Sequence, residues 1–463
     1  MKKFSWRITS FGTLLTLLTA IVGSSFAQNP NTPLLQDIRV YNDNGPMPSA
    51  TPLVRKTGSS GLATSATSSV RTMFPALAEV QIPGYTGILV ESLDGKTVLE
   101  SNPGLVFNPA SNVKVATSYA VLKTFGPDFR FLTNVYTDGA IDRASGTLVG
   151  NLYVSGKDPI FGYEHAIGLA NELNRLGVRR VSGDLIVTDN FAMNYNGSAL
   201  KSGQSLYAAM DSSKRSAAAT RVWLNYLSAA GRMAELNGVP GIAFTGTTYV
   251  QPIPSNLTLL FTHESTKLRE IIKATMCYSN NFLAERLGEM LGGPYAVAQT
   301  VQRNAGIPAN EFSIQTSSGL GYNRVTPNAM MKLLRSLRSD LERYKMTFAD
   351  IMPVAGVDKG TLENRFDNDF AVGSVVGKTG TLGNTDAGVS ALSGEINTKA
   401  GKFLFVIFNQ RGSVARFRAF QNSFVSLVQG QFGGAASIGY QPTSLDVLLA
   451  RWRITEPRGQ AGN

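Results

Sequence analysis

Cysteine and histidine are scarce in this sequence of 463 residues, which has one cysteine, Cys277, and two histidines, His165 and His263. A single cysteine excludes an internal disulfide, so the protein depends on its apolar core for stability. We interpret Cys277 as a buried packing residue, because neither histidine lies near it in the sequence to activate it. The two histidines are also too far apart for metal-ligand spacing, so the sequence predicts no metal centre.

Long apolar segments are absent beyond the N-terminus, where Lys2, Lys3 and Arg7 precede an apolar run and the small residues at 25–27. This pattern predicts a cleaved signal peptide over residues 1–27 and an exported, periplasmic or extracytoplasmic protein; a retained anchor is the alternative. Without these three cations the formal charge falls from +11 to +8. A basic exported protein suits an anionic envelope surface, and export makes nucleic acid an unfavourable partner.

The pattern along the chain indicates two interleaved parts. Residues 28–78 are rich in small polar residues and predict a linker, and the Asp94-Gly95 turn between two apolar runs predicts a hairpin. The pattern of residues 128–258 predicts an inserted β-rich domain with one helix near 165–176. Helical periodicity then returns, and the final third of the chain is predicted to form antiparallel strands and a helix over 416–428. We therefore expect a discontinuous domain, residues 79–127 and 259–430, and a tail over 431–463.

Ser111 and Lys114 are the first candidates for chemistry. The stretch 107–126 predicts one helix, and residues three apart in its first turn share a face beside the positive end of the helix dipole. A serine hydroxyl becomes a nucleophile when a neighbouring base takes its proton, and a lysine can be that base when burial keeps it partly neutral. The pattern alone is weak, since Ser198 and Lys201 repeat it in a stretch that we interpret as a loop.

Two later motifs strengthen this hypothesis. Ser279 and Asn281 fall on a predicted connection between two helices, where functional side chains often lie. Lys378, Thr379 and Gly380 fall on a predicted strand, in which the glycine lets another backbone or a ligand approach closely. The order S-x-x-K, S-x-N, K-T-G matches the set found in β-lactamases and penicillin-binding proteins.

With these motifs, the sequence resembles the low-molecular-mass penicillin-binding proteins of the D-alanyl-D-alanine carboxypeptidase and endopeptidase family. The resemblance covers roughly residues 80–430 and includes SGKDP, HEST, NNFLAE, SSGLGYNRVTP and KGTLENRF in order. It implies an α+β fold in which helices flank an antiparallel sheet, as in penicillin-binding proteins and β-lactamases, with an inserted β-rich domain. Neither the residues nor the resemblance implies a cofactor.

The resemblance also implies roles for the three motifs. Ser111 would form an acyl-enzyme with Lys114 as its base, kept neutral with the help of Lys378, and Ser279 and Asn281 would relay the proton and hold the substrate amide. Lys378, Thr379, Gly380 and Thr381 would bind the substrate, with the backbone N–H groups of Ser111 and Thr381 facing the oxyanion. The expected partners are peptidoglycan stem peptides and, as covalent inhibitors, β-lactams.

Several alternatives stay open at this point. A β-lactamase or esterase would share the fold, as would a non-catalytic wall-binding protein. The residues do not separate carboxypeptidase from endopeptidase activity, because both cut a bond beside D-alanine. Two segments depart from the family pattern: Ser279-Asn280-Asn281, where many relatives have Asp in the middle, and Thr316-Ser317-Ser318-Gly319, which replaces Asp-Gly-Ser-Gly.

Overall fold

The computed structural model describes residues 70–236 and 238–457. Its strands are β1 (Arg71–Thr72), β2 (Tyr85–Ser92), β3 (Thr97–Ser101), β4 (Leu132–Thr137), β5 (Ala140–Asp142), β6 (Thr147–Val149), β7 (Leu152–Gly156), β8 (Arg180–Val181), β9 (Leu185–Val187), β10 (Ala243–Phe244), β11 (Thr248–Val250), β12 (Thr258–Glu264), β13 (Phe312–Ser313), β14 (Arg324–Val325), β15 (Val375–Leu382), β16 (Val389–Thr398), β17 (Gly401–Gln410) and β18 (Arg453–Thr455).

Its α-helices are α1 (Pro75–Ala78), α2 (Val113–Phe125), α3 (Tyr163–Arg175), α4 (Ala199–Met210), α5 (Ala217–Ala229), α6 (Leu268–Cys277), α7 (Asn281–Glu289), α8 (Pro294–Ala305), α9 (Pro327–Arg343), α10 (Val414–Gln431) and α11 (Leu445–Leu449).

The almost continuous apolar run of β17 lies at the centre of a six-stranded antiparallel sheet with the order β1-β3-β2-β17-β16-β15. Side chains of a strand alternate between the two faces of a sheet, so a strand that is apolar at every position is covered on both sides. Leu404, Val406 and Phe408 join a core with α2, α6, α7, α8 and α9. Phe403, Phe405 and Ile407 join a second core with α10.

Several sequence predictions agree with these elements. The hairpin β2–β3 turns at Gly95, whose φ of +95° favours glycine. Strands β15, β16 and β17 are consecutive and antiparallel, and α10 packs on β16. The predicted helix over 107–126 is divided, because a 3₁₀ turn over Ala110–Asn112 precedes α2.

Residues 132–264 form two smaller sheets with the orders β10-β8-β6-β5 and β11-β9-β7-β4-β12-β18, the second completed by β18 from the C-terminal segment. Both contain parallel pairs, among them β7 with β9 and β6 with β8. The region also has α4 and α5 in addition to α3, the one helix that the sequence indicated. Ser198 and Ser216 cap α4 and α5 with their side chains, so the prediction of a loop at Ser198 is wrong.

The fold also changes the expected boundaries. Residues 70–78, part of the predicted linker, contain β1 and α1, and Leu77 is buried against the central sheet. Strand β12 pairs with β4 on one side and with β18 of the tail on the other, so the inserted sheet extends past residue 258 and includes the C-terminal segment. The predicted signal peptide and the linker up to residue 69 lie outside the described residues.

Within the described ranges, no helix has both the length and the apolar character that a bilayer crossing requires.

Candidate active site

Ser111 lies in the 3₁₀ turn that leads into α2, at the edge of the central sheet. The preceding residue, Ala110, has a φ of +47°, a backbone conformation that residues other than glycine rarely adopt. The Ala110 N–H is held by Asn108 Oδ1 at 3.0 Å. Such locally strained turns cluster at functional sites, where the surrounding structure holds a side chain in place.

Lys114 is fully buried and its Nζ contacts three oxygen atoms. Ser111 Oγ is 3.1 Å away, Asn281 Oδ1 2.7 Å and the Ser318 carbonyl oxygen 2.7 Å. The carbonyl and amide oxygens can only accept hydrogen bonds, whereas the hydroxyl can also donate. A neutral amine therefore satisfies all three contacts, donating twice and accepting from the Ser111 hydroxyl.

The electrostatics of Lys114 favour that neutral form. Burial lowers the pKa of Lys114 to about 7, and the Glu285 carboxylate opposes the shift. Burial, which the sequence-based hypothesis already included, is the largest cause, and the expected help from Lys378 is not among the causes of the shift. Repulsion between the two lysines affects Lys378 instead. Burial, and after it repulsion by Lys114, hold the pKa of Lys378 well below its usual range.

Ser279 and Lys378 form a second hydroxyl–amine pair. Ser279 sits between α6 and α7 with a φ of +54°. Lys378 is fully buried on β15, and its Nζ donates to Ser279 Oγ at 2.9 Å and to the Thr379 carbonyl at 2.7 Å. When Lys378 is protonated, its ammonium has three donors, and the part of the chain that the structure describes gives it no third acceptor. One donor is thus left for a ligand.

Strand β15 approaches the Ser111 turn closely at Gly380. A Cβ at this position would lie 2.6 Å from the Pro109 carbonyl oxygen and 3.1 Å from Ala110 Cβ, so only glycine permits the contact. The next residue, Thr381, is exposed, and its hydroxyl accepts a hydrogen bond from Arg418 at 2.9 Å. The structure therefore brings all three sequence motifs to one place.

The loop over residues 316–319 supports Lys114 through the Ser318 carbonyl, a role that the sequence pattern did not indicate. Glu285 accepts hydrogen bonds from the N–H groups of Ser317 and Ser318 at 3.1 and 2.9 Å. Gly319 has a φ of +90°, and a Cβ there would lie 2.0 Å from the Ala110 carbonyl oxygen. The position of Glu285 in the NNFLAE segment, one helical turn after Asn281, could have indicated that its carboxylate lies on the same face of the helix as Asn281.

The second S-x-x-K pair resembles the first locally but not in its surroundings. Ser198 caps α4 by accepting from the Lys201 N–H, and both side chains are exposed. Lys201 therefore lies in water, whereas Lys114 is enclosed by protein. Tertiary burial, and not helix position, distinguishes the two pairs.

Asn108, Arg324 and Asp386 form a further polar cluster beside the Ser111 turn, which sequence reasoning missed. Arg324 donates to both carboxylate oxygens of Asp386 at 3.0 Å, and Asn108 donates to the same carboxylate at 2.7 Å. These bonds fasten β14 and the loop after β15 to the turn that positions Ser111.

The structure also places His165 and His263 next to each other, with ring centroids 5.0 Å apart. Together with Asp158 they form a group whose ligand atoms lie within 4.8 Å of one another. Sequence spacing could not show this group, because β7 and β12 lie on either side of β4 in the fold although they are distant in sequence.

A serine hydroxyl hydrogen-bonded to a buried lysine whose pKa burial lowers to about 7 is an arrangement suited to serine acyl transfer. A sequence model of the D-Ala-D-Ala carboxypeptidase 3 (S13) family matches residues 75–200 and 208–429. The chain belongs to this family, which confirms the predicted enzyme class, a serine-type D-Ala-D-Ala carboxypeptidase.

Curated relatives agree with the family assignment. The chain is 26% identical over 420 residues to a D-alanyl-D-alanine carboxypeptidase of an Actinomadura species, covering 70% of this chain and 77% of that protein. It is also 26% identical over 376 residues to carboxypeptidase DacB of Mycolicibacterium smegmatis, covering 74% and 80%.

Solved structures confirm the fold class. A predatory peptidoglycan endopeptidase from Bdellovibrio bacteriovorus superposes with a TM-score of 0.66 at 22% identity, covering 81% of this chain and all of that one. Penicillin-binding protein 4 from Haemophilus influenzae superposes with a TM-score of 0.55 at 20% identity, covering 82% and 98%.

Proposed function

We propose that Ser111 is the nucleophile of a peptidoglycan D-Ala-D-Ala carboxypeptidase and that Lys114 is its general base. The observation that carries the proposal is the buried Lys114 amine, 3.1 Å from Ser111 Oγ, whose pKa burial lowers to about 7. Lys114 takes the hydroxyl proton as Oγ attacks the carbonyl carbon between the two D-alanines. The peptide bond then breaks, and the stem peptide remains as an ester on Ser111.

The second pair completes the cycle. Ser279 passes the proton to the departing D-alanine amine, and Asn281 holds Lys114 and the substrate amide. The N–H groups of Ser111 and Thr381 bind the oxyanion, a contribution of about 3 kcal/mol per donor in comparable sites. Water then hydrolyses the ester and frees Ser111.

The free donor of Lys378 binds the terminal carboxylate of the substrate together with Thr379, and Arg418 adds positive charge at the same end of β15. Because two ammonium groups in this buried site repel each other, a carboxylate at Lys378 stabilises the charge there and leaves Lys114 neutral. Substrate binding thus prepares the base.

A β-lactam carries the same carboxylate and a strained amide, so it acylates Ser111 by the same route. Structural neighbours with this fold include a penicillin G-acylated endopeptidase and a β-lactam complex of penicillin-binding protein 4. An endopeptidase acting on crosslinked stem peptides would use the same residues. Rates of hydrolysis of crosslinked and uncrosslinked stem peptides, measured side by side, give the ratio of endopeptidase to carboxypeptidase activity.

The experiment is intact-mass spectrometry after incubation with benzylpenicillin. We expect one adduct on the wild type, none on Ser111→Ala, and an unchanged adduct on Ser198→Ala, the serine of the exposed second S-x-x-K pair. D-Alanine release from a D-Ala-D-Ala peptide should follow the same pattern. Hydrolysed drug without an adduct would indicate a β-lactamase, and intact drug without an adduct a wall-binding protein.

We also propose that the protein acts outside the cytoplasm and associates with an anionic envelope surface. The basic and apolar pattern of residues 1–27 and the charge of +8 beyond them support this. N-terminal sequencing of the secreted protein should start near residue 28, and its retention on wall fragments should fall as salt rises.

A further inference from the structure

The pair of histidines and Asp158 lies outside the residues to which we assign catalysis. Asp158 follows β7, His165 is in the first turn of α3 and His263 is on β12. All three are at most 2% exposed. They are brought together by the pairing of β4 with β7 and with β12.

The polar atoms of this group are buried without partners. Asp158 Oδ2, His165 Nε2 and both ring nitrogens of His263 have no hydrogen-bond partner among the described residues. Asp158 Oδ1 accepts from the Ile160 N–H at 3.1 Å, which satisfies only one of its oxygens. Buried polar atoms are nearly always paired, so several unpaired atoms facing one another point to a missing ligand.

The walls around the group are aromatic. Phe161 lies 5.3 and 5.4 Å from the two imidazole rings, and Trp452 from the C-terminal segment lies 5.6 and 5.1 Å from them, measured between ring centroids. These rings separate the group from bulk solvent.

We propose that Asp158, His165 and His263 bind one divalent transition-metal ion of the Zn²⁺ class. Two imidazoles and one carboxylate are a ligand set typical of Zn²⁺, with bonds of about 2.0–2.2 Å, and a water completes the coordination. The ligand atoms already lie within 4.8 Å of one another, and small side-chain rotations bring them onto one ion. The metal fastens β7, α3 and β12 together beneath Trp452.

The neighbouring Glu164 supplies the partner that a metal-bound His165 needs. Without metal, His165 Nδ1 accepts from the Gly162 N–H at 2.9 Å, which places the ring proton on Nε2. Metal binding at Nε2 moves that proton to Nδ1 and ends the hydrogen bond from the Gly162 N–H; Glu164 Oε1, 3.5 Å from Nδ1, then moves closer to accept the proton. A carboxylate behind a ligating histidine is a frequent feature of metal sites.

The test uses the untagged protein, whose only two histidines are both in the proposed site. Dialysis against Zn²⁺ followed by metal analysis should give about one Zn²⁺ per chain and a raised Tm. Cu²⁺ bound to the wild type should show nitrogen hyperfine splitting from two imidazoles, a signature that needs no variant. Absence of stoichiometric metal, or a signal from Cys277 thiolate instead, would overturn the proposal.

Variants localise the effect. Asp158→Asn and His263→Asn should lower Zn²⁺ affinity at least about 100-fold, whereas Asp189→Asn, an exposed carboxylate of the same region, should bind like the wild type. Acylation by benzylpenicillin, measured on every variant, shows that each is folded and tests the nucleophile independently of the metal. Equal Zn²⁺ affinity in Asp158→Asn and the wild type would mean that the ion binds elsewhere and would overturn the proposal.

Discussion

At the scale of single residues, two buried lysines determine the chemistry of this protein. Neither Lys114 nor Lys378 has a carboxylate within salt-bridge distance among the described residues, so burial opposes their charge. Both instead contact hydroxyl and carbonyl oxygens, which suit a neutral amine as well as an ammonium. The cost of burying these amines is compensated by the rest of the fold, and the result is a base that works near neutral pH.

The first prediction concerns pH. Because burial lowers the pKa of Lys114 to about 7, the rate of acylation by benzylpenicillin should rise about tenfold per unit as pH increases towards 7 and level off above it. The rise follows loss of the Lys114 proton, since only the neutral amine accepts from Ser111. Stopped-flow measurement of acylation across pH gives the midpoint.

Glu285→Gln tests the cause of that midpoint. The Glu285 carboxylate raises the pKa of Lys114, so its neutralisation should move the midpoint to lower pH. The plateau rate should also fall, because one amide oxygen replaces two carboxylate oxygens as acceptors for Ser317 and Ser318. Glu289→Gln, an exposed acid on the same helix, should leave both values unchanged; an unmoved midpoint in Glu285→Gln would contradict the electrostatic account.

At the scale of elements, the site is built where short turns touch the edge of the sheet. The Ser111 turn contacts β15 at Gly380 and the 316–319 loop at Gly319, in both cases through backbone atoms. Glycine at these two positions lets β15 and the 316–319 loop pack against the Ser111 turn, and the loop reaches Lys114 through the Ser318 carbonyl. Helices α2 and α7 then orient the lysine and Asn281 from either side.

Gly319→Ala should therefore impair catalysis more than stability. The new Cβ would lie 2.0 Å from the Ala110 carbonyl oxygen, and displacement of the Ser318 carbonyl by about 1 Å should cost on the order of 100-fold in acylation rate. Gly293→Ala is the matched control, since its φ of +91° is nearly the same but no atom lies within 4 Å of its Cβ.

Both variants place alanine at positive φ, which costs about 1–3 kcal/mol of stability. Urea unfolding should show this loss in each, and the acylation rate should fall only in Gly319→Ala. Equal rates in the two variants would mean that the loop does not position Lys114.

At the scale of the whole molecule, the C-terminal segment completes the inserted region. Trp452 is 8% exposed, stacks on Tyr226 at 4.7 Å and packs against His263. A Cβ at Gly168 would lie 2.5 Å from its ring, so α3 provides a groove for the indole. Strand β18 follows immediately and pairs with β12.

Trp452→Ala should destabilise the protein by about 3–5 kcal/mol, the usual cost of removing a large buried aromatic side chain. Phe370→Ala removes an aromatic side chain that is 88% exposed and should change the free energy of unfolding by no more than about 0.5 kcal/mol. Urea denaturation measures both. Similar losses in the two variants would show that the C-terminal segment adds little to the core.

Much of this could be predicted from the sequence, because local patterns report local structure. The hairpin at Gly95, the three antiparallel strands of the final third and the connection that holds Ser279 follow from turn residues and apolar periodicity. Helices α4 and α5 were missed, although Ser198 and Ser216 supply their caps, because strand-like runs dominate the surrounding segment.

The sequence by itself determined the fold class, the order of the three motifs and which residues could react. It could not determine which Ser-Lys pair becomes reactive, since Ser111 and Ser198 both precede a helix, and only burial by distant segments lowers a lysine pKa. Nor could it show that Asp158, His165 and His263 meet, because strand pairing joins residues that lie 105 positions apart in the sequence. Burial and long-range pairing are properties of the folded chain, so the tertiary structure alone decided them.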